Sequence, residues 1–196
     1  MALHHAAKMD NLAPVEMLVE CGADVNAMTD DGSTPLCAAL WRNAGDTVQY
    51  LIRHGADALL TGPNGMTTLH IAASRNSFLF RNLLALPGMD SSARDESGRT
   101  PLHIAASYGH DTVVRTLCHS GADLSLIEVD GMTAEQMAVY AGEPEIAAII
   151  QTEARRRIQC QAFAMGHHER LGEASRVRSL DPELLCMIGK MLDGAL

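Results

Sequence analysis

The fold is decided by residues 95–123, DESGRTPLHIAASYGHDTVVRTLCHSGAD. The closing Gly-Ala-Asp of this stretch, or a close variant, recurs every 33 residues, with glycines at Gly22, Gly55, Gly88 and Gly121. A second set of glycines keeps the same step, at Gly32, Gly65, Gly98 and Gly131. Two sets that stay in register over four units predict identical supersecondary units that stack without insertions.

This unit resembles an ankyrin repeat almost residue for residue. The resemblance lies in the Ser97-Gly98 turn, in the Thr-Pro-Leu-His of residues 100–103 and in the closing Gly-Ala-Asp of residues 121–123. It implies an all-α solenoid of helix-turn-helix units joined by β-turn or hairpin loops, followed by a helical C-terminal extension. The predicted repeats are 1–29, 30–61, 62–94, 95–128 and 129–153, and the predicted extension is 154–196.

The composition limits the compartment and the class of partner. The chain has 196 residues, a formal charge of −9 and only 4% aromatic residues, which suits close helix stacking through alanine and leucine. An acidic balance argues against a nucleic-acid partner, because phosphate binding needs clustered lysine and arginine. No signal peptide or membrane-length apolar run is visible. We therefore expect a monomeric protein of the cytoplasm or nucleus that binds neither nucleic acid nor membranes.

The five cysteines are an odd number and show no Cys-x-x-Cys spacing. Three of them, Cys21, Cys37 and Cys118, replace ordinary repeat positions, and Cys37 takes the histidine position of the first-helix tetrapeptide. We expect these three to be small packed thiols in a reducing compartment.

Several segments depart from the repeat. In the third unit, Ser77-Phe78-Leu79-Phe80 replaces the usual Gly-His start of the second helix, which indicates either local repacking or a sticky surface. Met1 lies within a first helix, so the chain either is truncated, which we expect, or has a minimal cap. The last second helix should continue from Glu145 through residues 153–161, and Gly166 should end it.

Residues that could carry catalysis have structural explanations. His70 and His103 recur at one repeat position, and the ankyrin resemblance implies that they bond to neighbouring backbone and to threonine. The His4-His5 and His167-His168 pairs and Cys160 lack the spacing of metal ligands. No nucleophile elbow or phosphate-binding glycine loop is present. We expect no enzymatic activity, no metal and no cofactor.

The resemblance implies that the turn tips and the outer residues of the first helices line one surface, the concave face. Several of its positions carry residue types that dominate binding hot spots. The candidate partner-binding residues are Trp41, Arg42, Met66, Arg75, Arg99, Tyr108 and Tyr140. Trp41 either anchors a partner or fills space between neighbouring first helices. The prediction is a non-catalytic module that binds a protein on this face.

The C-terminal segment supports a second hypothesis. It is similar to the opening helix of an F-box, although its proline is shifted by one place and any amphipathic capping helix would show the same apolar stripe. The candidate adaptor-binding residues are Leu180, Pro182, Leu184, Leu185, Ile188 and Leu192. The resemblance implies a substrate receptor of a cullin-type ubiquitin ligase as the alternative function.

Overall fold

A computed structural model describes residues 1–9 and 11–171 of the protein. Within these residues it contains ten α-helices, a short 3-10 helix at Pro63–Gly65 and no β-strand, which confirms the all-α fold class. The helices are α1 (Ala2–Lys8), α2 (Leu12–Glu20), α3 (Pro35–Trp41), α4 (Gly45–Arg53), α5 (Thr68–Ser74), α6 (Phe80–Leu84), α7 (Pro101–Ser107), α8 (Asp111–His119), α9 (Ala134–Ala141) and α10 (Pro144–Leu171).

The helices form two rows. The first helices of successive repeats, α1, α3, α5, α7 and α9, pack side by side, while α2 packs against α4 and α6 against α8 in a second row. Leu36, Leu69 and Leu102 stand 33 residues apart and are all fully buried. Three residues after each of these leucines comes a buried alanine, Ala39, Ala72 or Ala105, which lets neighbouring helix backbones approach closely. Equivalent positions therefore occupy equivalent places in the core, as a stack requires.

Each first helix after α1 has a threonine as its N-cap. The side chains of Thr34, Thr67 and Thr133 accept hydrogen bonds from the backbone N–H three residues later. This side-chain bond satisfies one of the amides that has no partner within the helix. The thirty-three-residue recurrence of threonine in the sequence is thus a recurrence of N-caps.

The recurring glycines are required by the backbone. Gly121 ends α8 with a φ of +85°, and Gly98 lies in a hairpin turn with a φ of +72°. L-residues with a Cβ adopt this left-handed region only at a cost. The repeat therefore keeps a glycine at both places.

The hairpin tips of neighbouring repeats are joined by backbone hydrogen bonds. The Glu96 N–H donates to the Asn64 carbonyl oxygen (3.0 Å), and one repeat later the Val129 N–H donates to the Ser97 carbonyl oxygen (3.1 Å). One repeat earlier, the position of the donor is occupied by Pro63. Proline has no N–H, so this bond cannot form between repeats 2 and 3.

The third repeat shows both local repacking and an exposed aromatic side chain, the two outcomes that its sequence indicated. Its second helix, α6, is only five residues long. Leu79 and Phe80 are buried, while Phe78 is 67% exposed and its ring lies against Gly45 at the start of α4. A cleft of about 170 Å³ lined by Val48, Ile52 and Leu83, among others, remains between α4 and α6.

Two sequence expectations were wrong. Helix α10 does not end at Gly166 but continues to Leu171. A single glycine costs a helix only about 1 kcal/mol relative to alanine, and the good helix formers around it offset that cost. Cys37 and Cys118 are buried as expected, but Cys21 is exposed at the end of α2.

The chain divides into two compact units, Met1–Ile149 and Ile150–Leu196. This division falls inside α10, as does the predicted boundary between residues 153 and 154. None of the helices described has both the length and the apolar character needed to cross a membrane. The six candidate adaptor-binding residues, Leu180 to Leu192, lie outside the described residues.

Candidate protein-interaction surface

Five of the seven concave-face candidates lie where the first helices end. Trp41 is the last residue of α3 and Arg42 is its C-cap, while Arg75 and Tyr108 are the C-caps of α5 and α7. The residue after each of these caps has a positive φ, namely Asn43, Asn76 and Gly109. The chain therefore turns away at the same point in each repeat and leaves the preceding side chains at the surface.

Four of the candidates are exposed. Tyr140 is 85% exposed and Tyr108 is 60% exposed, and Arg42 and Arg75 are also at the surface. Trp41 is half-buried, so it offers part of its ring to solvent and part to the stack. The Arg42 Nε donates to the carbonyl oxygen of Lys8 at 3.2 Å, which ties this side chain to the neighbouring first helix.

Tyr108 is held by its neighbours. Its ring stacks on that of His110, with 5.8 Å between centroids and 14° between the ring planes. The Nε2 of His110 in turn donates to the Ser74 carbonyl oxygen at 3.1 Å, which belongs to the preceding repeat. An exposed aromatic ring with restricted motion loses little entropy when a partner binds.

Met66 and Arg99 do not belong to the row of exposed side chains at the first-helix ends. Met66 is only 7% exposed, so its side chain lies in the core and is not part of the surface. Arg99 is half-buried, and its guanidinium binds the carboxylate of Asp95 through Nε (2.9 Å) and a terminal nitrogen (2.8 Å). The Asp95 side chain is 1% exposed and also accepts from the backbone N–H groups of Ser97 and Arg99. Arg99 thus fixes its own hairpin.

His70 and His103 connect successive repeats. The Nδ1 of each accepts from the backbone N–H of the capping threonine, Thr67 or Thr100, at 3.2 Å. The Nε2 donates to a carbonyl oxygen of the next repeat, that of Arg99 (2.8 Å) or Met132 (3.2 Å). One nitrogen must accept and the other must donate, so both rings are neutral. Burial also lowers the pKa of each histidine below its ordinary value.

The comparison with known families agrees with this geometry. The ankyrin repeats family profile matches the chain in three copies, at residues 1–62, 46–128 and 69–161. The chain belongs to the ankyrin repeat family. No curated protein compared with it gives a match.

Ankyrin repeats generally mediate protein–protein interactions and are typically non-catalytic. In this ankyrin protein, no group of three or more histidine, cysteine or acidic side chains among the described residues is placed to hold a metal ion. Both ring nitrogens of His70 and His103 are already bonded, Nδ1 to the capping threonine of the same repeat and Nε2 to the next repeat. Exposed side chains that could contact a partner include those at the ends of the first helices.

Sequence reasoning missed the parts played by Asp95 and His110. The ankyrin position of Asp95, three residues before the turn glycine, holds Thr29, Gly62 and Glu128 in the other repeats. Because the residue type does not recur, the 33-residue pattern could not reveal it. His110 could have been found, since the notable Gly-His pair at residues 109–110 starts the second helix, but its bond to Ser74 needed coordinates.

Proposed function

We propose that this protein is a non-catalytic interaction module that binds a partner protein on the concave face. The observation that supports the proposal is the row of exposed side chains at the ends of consecutive first helices, formed by Arg42, Arg75, Tyr108 and Tyr140 with the half-buried Trp41. The apolar faces of these helices are buried in the stack, whereas this row of side chains stands at its surface.

The residue types fit recognition of a protein. Tyrosine, tryptophan and arginine combine a large contact area with a polar group. Truncating such a residue to alanine at the centre of an interface often costs about 2 kcal/mol or more of binding free energy. The excess of acidic over basic side chains disfavours nucleic acid. We therefore propose that the protein acts as a monomer and that its ligand is another protein.

The test is a quantitative affinity purification with the full chain and three of its variants. Tyr140→Ala and Trp41→Ala should each reduce recovery of the specific partners about tenfold or more. Met17→Ala, which removes an exposed apolar side chain from α2, is the matched control and should leave recovery unchanged. For Trp41→Ala, loss of binding should greatly exceed loss of thermal stability. Equal losses would favour the filler interpretation, and unchanged recovery in both variants would refute the proposal.

A second candidate function depends on the sequence of the C-terminal segment alone. If Leu180–Leu192 engages a cullin-ligase adaptor as an F-box does, the full chain should recover adaptor components. Leu184→Asp together with Leu185→Asp should abolish that recovery while leaving partners of the concave face bound. A variant that recovers the same adaptor components as the original chain would exclude this function.

A further inference from the structure

The concave face carries two positive charges on a negatively charged protein. Residues 1–149 contain eighteen acidic and eight basic side chains. Two of those eight, Arg42 and Arg75, stand one repeat apart at the ends of α3 and α5. Both are exposed, and neither forms an ion pair with a described residue.

The other cations of this unit are engaged or lie elsewhere. Arg99 and Arg115 are paired with Asp95 and Asp111, and Arg94 donates to backbone carbonyl groups in two hairpins. The hydrogen bond from Thr29 and, more weakly, the charge of Lys8 lower the pKa of Asp31, so Lys8 already has a nearby anion. Arg53 and Arg81 belong to second helices. Arg42 and Arg75 are thus the unpaired cations of the concave face.

We propose that the concave face binds an acidic segment of its partner protein, with one carboxylate on Arg42, a second on Arg75 and an apolar side chain against Tyr108. This inference rests on the proposed function and specifies its partner. A guanidinium can bind a carboxylate through two parallel hydrogen bonds, which gives a charged pair both strength and orientation. Trp41, beside Arg42, and Tyr108, beside the helix that ends at Arg75, supply apolar contact area on either side of the pair.

The spacing defines the recognised segment. Neighbouring packed helices are about 8–10 Å apart, so the two arginines are separated by about one such step. In a polyproline II segment, an extended chain with three residues per turn and a rise of about 3.1 Å, side chains at positions i and i+3 lie on one face about 9 Å apart. The expected ligand is therefore an extended segment with acidic residues three apart and an apolar residue beyond them. Two free cations are too few for a nucleic acid, whose affinity grows with the number of phosphates neutralised.

The hairpin tips restrict where this segment can lie. Exposed acidic side chains occupy the tips at Asp30, Asp31, Glu96 and Asp130. These would repel a second negative chain, whereas the ends of the first helices would attract it. An acidic segment is therefore directed to the side of the concave face that carries Arg42 and Arg75.

The test selects short random peptides displayed on phage against the immobilised full chain and then measures binding of the selected peptides in solution. We expect enrichment of peptides with acidic residues three apart. Arg42→Glu and Arg75→Glu should each weaken their binding about tenfold, and binding should also weaken at high salt. The double variant Arg53→Glu/Arg81→Glu changes the net charge as much as Arg42→Glu/Arg75→Glu but on second helices, and it should leave binding within about twofold.

A charge exchange makes the test specific. Peptides with lysine in place of the two acids should fail to bind the original chain and should bind Arg42→Glu/Arg75→Glu. Circular dichroism should show that all variants unfold at nearly the same temperature. If the selected peptides depend on Trp41 and Tyr108 but not on the two arginines, the concave face still binds protein and the acidic-segment proposal is wrong. If they depend on none of these residues, or if no peptide is selected, both proposals are wrong.

Discussion

Two junctions of the same stack occupy the same register but are held differently. Between repeats 3 and 4, His70 donates to the Arg99 carbonyl oxygen and the Glu96 N–H reaches the Asn64 carbonyl oxygen. Between repeats 2 and 3, the equivalent positions are Cys37 and Pro63. A thiol is a weak donor that is shorter than imidazole, and proline has no N–H to donate. The buried leucines are present at both junctions. Between repeats 2 and 3 the Ser77 hydroxyl still donates to the Asn43 Oδ1 (2.6 Å), so this junction is held by apolar packing and other, fewer hydrogen bonds.

The second helices of the repeats show the same difference between the two junctions. Helix α6 packs against α8, while a cleft remains between α4 and α6. In a repeat protein, stability is close to a sum of repeat terms and nearest-neighbour interface terms. The junction between repeats 2 and 3 should therefore contribute less to stability than the junction that follows it. Both the missing hydrogen bonds and the cleft in the second row contribute to this difference.

The largest expected effect comes from deleting the histidine that joins repeats 3 and 4. His70→Ala leaves the Arg99 carbonyl and the Thr67 N–H without their buried partner and opens a cavity, so the free energy of unfolding should fall by about 3 kcal/mol. Cys37→Ala, at the same position of repeat 2, should cost only about 1 kcal/mol. Urea unfolding followed by circular dichroism measures both, and equal losses would contradict the contrast between the junctions.

Acid should weaken the histidine-joined junctions. Because burial lowers the pKa of His70 and His103 below the ordinary 6.5, the unfolded chain takes up protons first as the pH falls. Their contribution to stability is complete above about pH 6.5 and declines below it, by at most about 1.4 kcal/mol per pH unit for each histidine.

Urea unfolding between about pH 7.5 and 5.5 measures this slope. The control is His70→Gln/His103→Gln, because Gln136 shows that an amide can accept from the N–H of the capping threonine in repeat 5. This variant should have a flatter acid slope. An unchanged slope would mean that groups other than these two histidines cause the effect.

The junction between repeats 2 and 3 can be given the missing histidine. Thr34 already caps α3 as Thr67 caps α5, so Cys37→His should place a ring between Thr34 and the Met66 carbonyl group. We expect a gain of about 1 kcal/mol in the free energy of unfolding. A Cβ on Gly62 would lie 3.1 Å from the Cys37 Sγ, so the site is narrow. A loss of stability would show that the Pro63 turn has closed the space that a histidine needs.

The smallest effect is expected from restoring the missing tip donor. Pro63→Ala supplies an N–H that can donate to the Asp31 carbonyl group. It also raises the conformational entropy of the unfolded chain, which lowers stability. These effects, each about 0.5–1 kcal/mol, oppose one another and should nearly cancel. Hydrogen exchange at residue 63 distinguishes them, because a bonded amide exchanges slowly. Rapid exchange at this amide would mean that the two tips are too far apart even without proline.

The repeat and its core could be predicted from the sequence because the backbone imposes them. Positive φ at Gly98 and Gly121 and the N-caps at Thr67 and Thr133 restrict residue type locally, so they recur visibly every 33 residues. The continuation of α10 through Gly166 could not be predicted in this way, since a glycine inside a helix is only a moderate cost that neighbouring residues offset.

The surface was predictable only in part. The ends of the first helices are exposed by the turn that follows them, so the positions of Arg42 and Tyr108 followed from the repeat. Met66 and Arg99 share one register position, yet one is buried and the other binds Asp95. Their environments depend on which residue stands nearby in three dimensions, Asp95 in the fourth repeat and Gly62 in the third. A one-dimensional pattern does not contain that information.

The proline at residue 63 has a mechanical consequence. When force is applied to the two ends of a linear array, rupture starts where adjoining layers share the fewest cross-links. Here that place is the junction between repeats 2 and 3, so stretching should first separate the array there rather than peel layers singly from its ends.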